Sequence, residues 1–137
     1  MKAIVLLSGG LDSTVCMAVA REQGFEPLPI SFNYQQRHAR EVECARQVAD
    51  FYKVNRHLVV DTNMAAIGGS ALTDASVVVP SGDVTRHDIP VTYVPARNLI
   101  FLSYALGYAE VTGADHIFIG VNALDYSGYP DCRPEFI

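Results

Sequence analysis

The chain has 137 residues, half of them hydrophobic, which is enough for one domain with a real core and argues against two. Ten Lys and Arg against fifteen Asp and Glu leave a formal net charge of −5; this argues against a large nucleic-acid surface, which needs clustered cations, and favours a small-molecule partner. Cys16, Cys44 and Cys132 are odd in number, widely spaced and without a CxxC pair, so a disulfide framework and a zinc knuckle both lose support and a reducing compartment is expected.

Ala3 to Leu7 is a continuous apolar run, as expected of a strand covered on both faces. Ser8-Gly9-Gly10-Leu11-Asp12-Ser13 follows and opens onto a first helix, Thr14 to Gln23. Adjacent glycines let the backbone turn tightly and bring N–H groups near an anion, and the positive end of the following helix attracts negative charge. Ser8 and Ser13 add hydroxyl donors. No Walker A or GxGxxG pattern can be drawn through these residues. Asp12 instead puts a carboxylate beside the phosphates, which is repulsive unless a divalent cation such as Mg²⁺ bridges the two. The plainer reading is a helix start capped by Asp12 or Ser13, but capping alone explains neither both glycines nor both serines.

Gly24 is a plausible terminator of that helix in the left-handed conformation. Pro27 to Phe32 reads as a second strand. Ala39 to Tyr52 reads as a second helix with Val42, Ala45, Val48 and Ala49 as its apolar stripe and Glu41, Glu43, Arg46, Gln47 and Asp50 facing water. Arg56 to Asp61 is a third strand. Thr62 to Pro95 breaks the alternation with repeated Gly and Pro turn chemistry, within which Val77 to Val79 and Ile89 to Val91 could pair as short strands. Asn98 to Thr112 is an almost wholly apolar, buried helix stopped by Gly113, and His116 to Ile119 is the next buried strand. The apolar stretch Leu99 to Ala109 falls well short of a bilayer span, and Ala3 to Leu7 is too short for a signal-peptide core, so a soluble cytoplasmic protein is expected. Strand-helix alternation specifies a parallel α/β sheet, residues 1–137 forming one nucleotide-binding domain whose ligands gather outside the carboxyl ends of the strands.

Two further segments, after the second and last strands, reach that rim, and a third precedes the apolar helix. In Asn33-Tyr34-Gln35-Gln36-Arg37-His38 a ring can stack on a purine, amides can read a base edge, and Arg37 can meet a carboxylate or phosphate; a solvated loop capping the second helix explains the same residues. Arg97 stands against an apolar segment and needs an anionic partner, either a bound phosphate or carboxylate or an acidic side chain, while Asn98 beside it could be an N-cap. Gly120 to Arg133 offers Asp125 and Asp131 as oxygen ligands, Tyr126 and Tyr129 as stacking or hydrogen-bonding groups, and Arg133 against anionic oxygen; the competing reading is a Gly/Pro turn with solvated acids. Nothing marks Cys132 as an activated nucleophile. His38, His57, His87 and His116 lack metal-ligand spacing and read as structural or solvated, with His38 and His87 the candidate exceptions.

SGGLDS matches the SGGxDS signature of the PP-loop ATP pyrophosphatases, whose members activate an oxygen as its AMP ester for displacement by nitrogen or sulfur. Together with FNYQQRHARE from Phe32 to Glu41, TYVPARN from Thr92 to Asn98 and GVNALDYSGYPDCRPEF from Gly120 to Phe136, it resembles the 7-cyano-7-deazaguanine (preQ0) synthase family of queuosine biosynthesis. That resemblance implies a five-stranded parallel sheet with flanking helices. It also implies an ATP-dependent carbon–nitrogen ligase in which 7-carboxy-7-deazaguanine is adenylylated, aminated by ammonia, activated by a second ATP and dehydrated to the nitrile. Leu7, Ser8, Gly9, Gly10, Leu11, Asp12, Ser13 and Thr14, with Arg97, would hold ATP. Tyr34, Gln36, Arg37, Asp125 and Tyr129 would hold substrate, and Asp12, Asp131 and Arg133 would carry catalysis, with Asp12 and Asp131 as Mg²⁺ ligands.

Members of the family continue beyond this length into a region with four zinc-binding cysteines, which this sequence lacks; it therefore reads as an amino-terminal fragment, with zinc and a homodimer expected of the longer protein. Among other functions, a PP-loop tRNA thiolase would want a catalytic cysteine pair and a basic surface, and neither is present. An ATP-binding module without turnover is opposed by the intact Ser8, Asp12 and Ser13 and favoured by the missing end.

Overall fold

The structure, a computed structural model, describes residues 1–34, 39–67 and 97–121. Four strands, β1 (Lys2–Leu6), β2 (Glu26–Asn33), β3 (Leu58–Asp61) and β4 (His116–Phe118), form one sheet in the order β3-β2-β1-β4. All three pairings are parallel. The helices are α1 (Leu11–Glu22), α2 (Ala39–Phe51) and α3 (Arg97–Thr112). The parallel α/β architecture expected from the alternation is therefore present, with four strands among the described residues where the resemblance implies five.

Side-chain alternation along β1 builds two cores, one on each face. Ala3, Val5 and Leu7 pack with Met17 and Ala20 of α1 and Ala45 and Ala49 of α2. Ile4 and Leu6 pack with Leu28 and Ile30 of β2 and with Ala105 and Ala109 of α3. In α2 the expected stripe is the inward one, for Ala45 and Ala49 are buried, Val42 and Val48 half-buried, and Glu41, Glu43, Arg46, Gln47 and Asp50 exposed.

β2 carries Pro27 and Pro29 inside an interior strand, where a missing N–H is normally disruptive. The even-numbered residues of β2 turn their backbone groups to β1, as Glu26 N to Met1 O and Leu7 N to Ile30 O show. Both prolines therefore turn toward β3. Pairing with β3 begins only at Ile30–Leu58, so neither proline faces a rung that needs its N–H.

Helix ends follow the expected backbone rules. Gly24 and Gly113 take positive φ of 87° and 78° just after α1 and α3, the left-handed conformation that closes helices at glycine. Two expectations are corrected. α1 begins at Leu11 with Gly10 as its N-cap and no side-chain cap bond, so neither Asp12 nor Ser13 caps it; both lie in its first turn. Asn98 likewise lies inside the first turn of α3 and is buried there.

α3 is also less buried than its composition implies, with Leu99, Leu106 and Val111 exposed by 53%, 56% and 81%. Among the described residues it covers its face of the sheet by itself, so only the stripe carrying Ala105, Ala109 and Thr112 is enclosed. After β3 the chain makes a single 3-10 turn, Met64–Ala66. The short strands expected at Val77 to Val79 and Ile89 to Val91 lie outside the described residues. No helix among the described residues is long and apolar enough to cross a membrane.

Candidate nucleotide site

β1 leaves the sheet after Leu6, and the loop that follows is shaped by its own serines. Ser13 Oγ accepts from Ser8 N at 3.1 Å and lies 3.2 Å from Gly10 O, to which it can donate. Thr14 donates to Gly10 O at 2.7 Å through its hydroxyl and at 3.1 Å through its backbone N–H. Gly10 N donates to Ser8 Oγ at 3.3 Å. Ser13 is buried and braces the loop from within, whereas Ser8 is exposed at the rim. With no side chain capping α1, the positive end of the helix opens on the loop side, as an anion site requires.

Two glycines make this loop possible for separate reasons. Gly9 has φ of +89°, and a Cβ there would lie 2.4 Å from Glu41 O and 2.9 Å from Cys44 Cβ, so the loop rests directly on the first turns of α2. At Gly120, just past β4, a Cβ would lie 2.9 Å from the Asp12 carbonyl carbon. The loop is thus held between α2 and the end of β4. Asp12 itself is exposed on the first turn of α1.

Beside the loop is a cleft of about 240 Å³ at the carboxyl ends of the strands. Leu7, Ser8 and Ser13 line it together with Tyr34 and Arg97, bringing an expected substrate residue and an expected phosphate residue into one space. Arg97 Nη1 donates to Tyr34 Oη at 3.4 Å, one of its contacts. The Tyr34 ring meets Phe101 edge-on at 5.4 Å, and Phe101 stacks on Phe32 at 3.9 Å, a shelf of apolar faces beside a guanidinium. Gly9 and Gly10 form the loop next to the cleft, Asp12 and Thr14 follow in α1, and Leu11 is 79% exposed. Gln36, Arg37, Asp125, Tyr129, Asp131, Cys132 and Arg133 lie outside the described residues.

The cleft also brings in residues to which the sequence alone gives no individual site role. Glu41, Asn98, Phe101 and Gly120 line it, as does Ser31, buried in β2. Ser31 did carry a signal, being the one hydroxyl in the otherwise apolar run from Pro27 to Phe32. Ser31 Oγ donates to Leu7 O at 2.6 Å and contacts His57 Nε2 at 2.8 Å. Burial, helped by the nearby Arg46 charge and opposed by Asp50, holds His57 below the usual imidazole value. Burial first, and the Asp12 carboxylate second, push the Cys16 thiol up. No group of three His, Cys, Asp or Glu suited to a metal lies among the described residues.

Comparison with known proteins places the sequence in a family. The model for "Queuosine biosynthesis protein QueC" matches residues 2–137. The 7-cyano-7-deazaguanine synthase of Desulfitobacterium hafniense is 63% identical over 137 residues, covering 99% of this chain and 57% of that protein. Those of Rhodopirellula baltica and Acetivibrio thermocellus are 62% and 60% identical, with 56% and 60% of their lengths covered. The chain thus spans less than two thirds of these relatives. A solved structure from Methanocaldococcus jannaschii, described as a predicted subunit of a tRNA methyltransferase, aligns with TM-score 0.53 at 16% identity, covering 93% of this chain and 56% of that one; at that identity the likeness speaks for the fold alone. With its model matched across nearly every residue and relatives above 60% identity, the chain belongs to the QueC family of queuosine biosynthesis proteins.

Proposed function

We propose that the protein of which this chain forms the nucleotide-binding part converts 7-carboxy-7-deazaguanine and ammonia to 7-cyano-7-deazaguanine at the expense of ATP. The observation that carries this reading is the glycine loop opening onto an uncapped helix start, next to a cleft that holds Arg97 and Tyr34. Family membership points the same way, through relatives named for that synthesis.

In this reading the backbone from Leu7 to Thr14 binds the ATP phosphates. Attack of the substrate carboxylate on the α-phosphorus releases pyrophosphate and leaves an acyl-AMP, from which ammonia displaces AMP to give the amide. The amide oxygen is adenylylated in turn and departs with AMP as the nitrile forms, so each carboxylate oxygen leaves on one AMP. Arg97 balances anionic charge in the cleft while Tyr34 and Phe101 offer ring faces to a planar base. Gln36, Arg37, Asp125 and Tyr129 complete the substrate contacts, and Arg133 meets developing negative charge.

Asp12 is an exposed oxygen donor beside the phosphate loop, and in this reading it and Asp131 would hold Mg²⁺, which is usually bound by one or two carboxylates together with substrate phosphates. Bound there, the ion would neutralise phosphate charge. Zinc has no ligand group among the described residues, and no step is assigned to it. Pairing of two longer chains accompanies this reading.

Incubation with ATP, ammonium and 7-carboxy-7-deazaguanine, followed by mass spectrometry, tests it. Nitrile with AMP and pyrophosphate is expected from a chain extended to the relatives' length, and Asp131→Ala or Arg133→Ala should abolish most of it while the protein stays folded. ATP bound without turnover in the extended chain would make this a nucleotide-binding module instead.

A further inference from the structure

We propose that Ser31 and His57 act as a positioning pair that fixes where the phosphate loop leaves β1. The inference rests on the ATP-binding reading for its functional consequence, though not for its geometry. Pairing of β1 with β2 ends at Leu6–Ile30. Leu7 nevertheless remains tied to β2 at both of its backbone groups, by N to Ile30 O at 2.9 Å and by O to Ser31 Oγ at 2.6 Å. A side-chain hydroxyl therefore supplies the tie that regular pairing no longer makes. It does so at the residue immediately before Ser8, where a small change of direction is carried straight into Gly9 and Gly10.

The direction of each hydrogen bond follows from counting protons. Ser31 has one hydroxyl proton, and Leu7 O can only accept. The 2.6 Å contact takes that proton, so His57 must be the donor across the 2.8 Å contact, through Nε2–H. His57 stands just before β3 and reaches across to Ser31 in the α1–α2 layer of the fold, so the end of β1, β2 and the approach to β3 share one run of hydrogen bonds, from His57 through Ser31 to the Leu7 carbonyl. A hydroxyl that accepts a hydrogen bond donates a stronger one. Ser31 is 1% exposed, so loss of its donor partner would leave its oxygen without compensation from water. His57 is in this account a positioning residue, which touches neither phosphate nor substrate.

Three measurements on the 137-residue chain test the pair. Long-range ¹H–¹⁵N spectra at neutral pH should show His57 as the Nε2–H tautomer, and Ser31→Ala should erase that preference; an Nδ1–H tautomer in the parent overturns the proposal. Without nucleotide, Ser31→Ala and His57→Leu should move the Ser8, Gly9 and Gly10 amide signals. His57→Gln, whose amide can place an N–H where Nε2 lies, should leave them near the parent positions. Unmoved signals in both disruptive variants, or equal movement with Gln and Leu, would reduce the pair to ordinary packing. With Mg-ATP as probe, the disruptive variants should bind about tenfold more weakly, the equivalent of one lost hydrogen bond, and His57→Gln within about twofold of the parent. Should the parent itself bind no Mg-ATP, the nucleotide reading fails while the tautomer and amide signals still decide the pair.

Discussion

Asp12 and Gly120 meet at a distance that admits no side chain, since a Cβ on Gly120 would stand 2.9 Å from the Asp12 carbonyl carbon and 3.1 Å from its Cβ. The residue just past the end of β4 therefore sets the position of the first turn of α1. Gly120→Ala should destabilise the chain by about 1–3 kcal/mol through overpacking. It should also weaken Mg-ATP binding beyond what that loss explains, as calorimetry at a temperature well below the melting point would show. Gly9→Ala should be worse. It meets the Glu41 carbonyl at 2.4 Å and is forced into positive φ, where the backbone alone costs about 1–2 kcal/mol.

Removing the Asp12 charge should separate binding from folding. The residue is exposed in the first turn of α1, where a carboxylate favours the helix by only about 0.3–1 kcal/mol. Asp12→Asn should thus leave the melting temperature nearly unchanged and reduce Mg-ATP binding severely. Cys16 gives an independent reading of the same charge, because Asp12 is the second cause, after burial, of its raised pKa. Its alkylation by iodoacetamide at pH 8, followed by peptide mass spectrometry, should be slow in the parent and faster in Asp12→Asn.

Sequence carried the sheet and the loop, because both are written in local patterns. The apolar run from Ala3 to Leu7, the stripe through Ala45 and Ala49, and the terminators Gly24 and Gly113 each act over a few residues, and the fold uses them as read. What sequence did not disclose was spatial. Ser31, His57 and Leu7 are separated by at least 24 residues from one another, and no local pattern announces that they meet. The capping residue was misplaced for a related reason. Asp12 and Ser13 are good caps by type, but the turn already has a donor and acceptor set in Ser8, Gly10 and Thr14, so the helix starts earlier. The exposed side of α3 was hidden too, since composition records how apolar a helix is and not how much of it a neighbour covers.

Acidification should weaken the fold through His57. Burial and the Arg46 charge, against the opposing Asp50, make the folded state bind this proton less readily than the unfolded state does. Below the ordinary value of 6.5 the unfolded chain therefore holds more protons, and stability falls with falling pH until the lower folded value is passed. Urea melts between pH 7.5 and 5 should show this slope in the parent and a shallower one in His57→Gln. Equal slopes would mean that His57 titrates alike in both states.

Tyr34 and Arg97 share one contact but should not share one role. Tyr34→Phe removes only the hydroxyl at the 3.4 Å end of that contact and keeps the edge-on packing against Phe101. A bond this long contributes little, so both stability and Mg-ATP binding should change by less than about 1 kcal/mol. Arg97→Ala removes a cationic fork from the cleft wall. A hydrogen bond to a charged group is worth about 1.5–3 kcal/mol, so binding of the anionic ligand that Arg97 meets should fall about ten- to a hundredfold. Arg97→Lys should recover only part of it, because a point charge lacks the planar two-donor geometry. Titrating each variant separately with Mg-ATP and with 7-carboxy-7-deazaguanine shows which anion Arg97 serves. If Arg97→Ala binds both as the parent does, the guanidinium belongs to the architecture of α3, and the anionic partner it requires is a side chain of the protein.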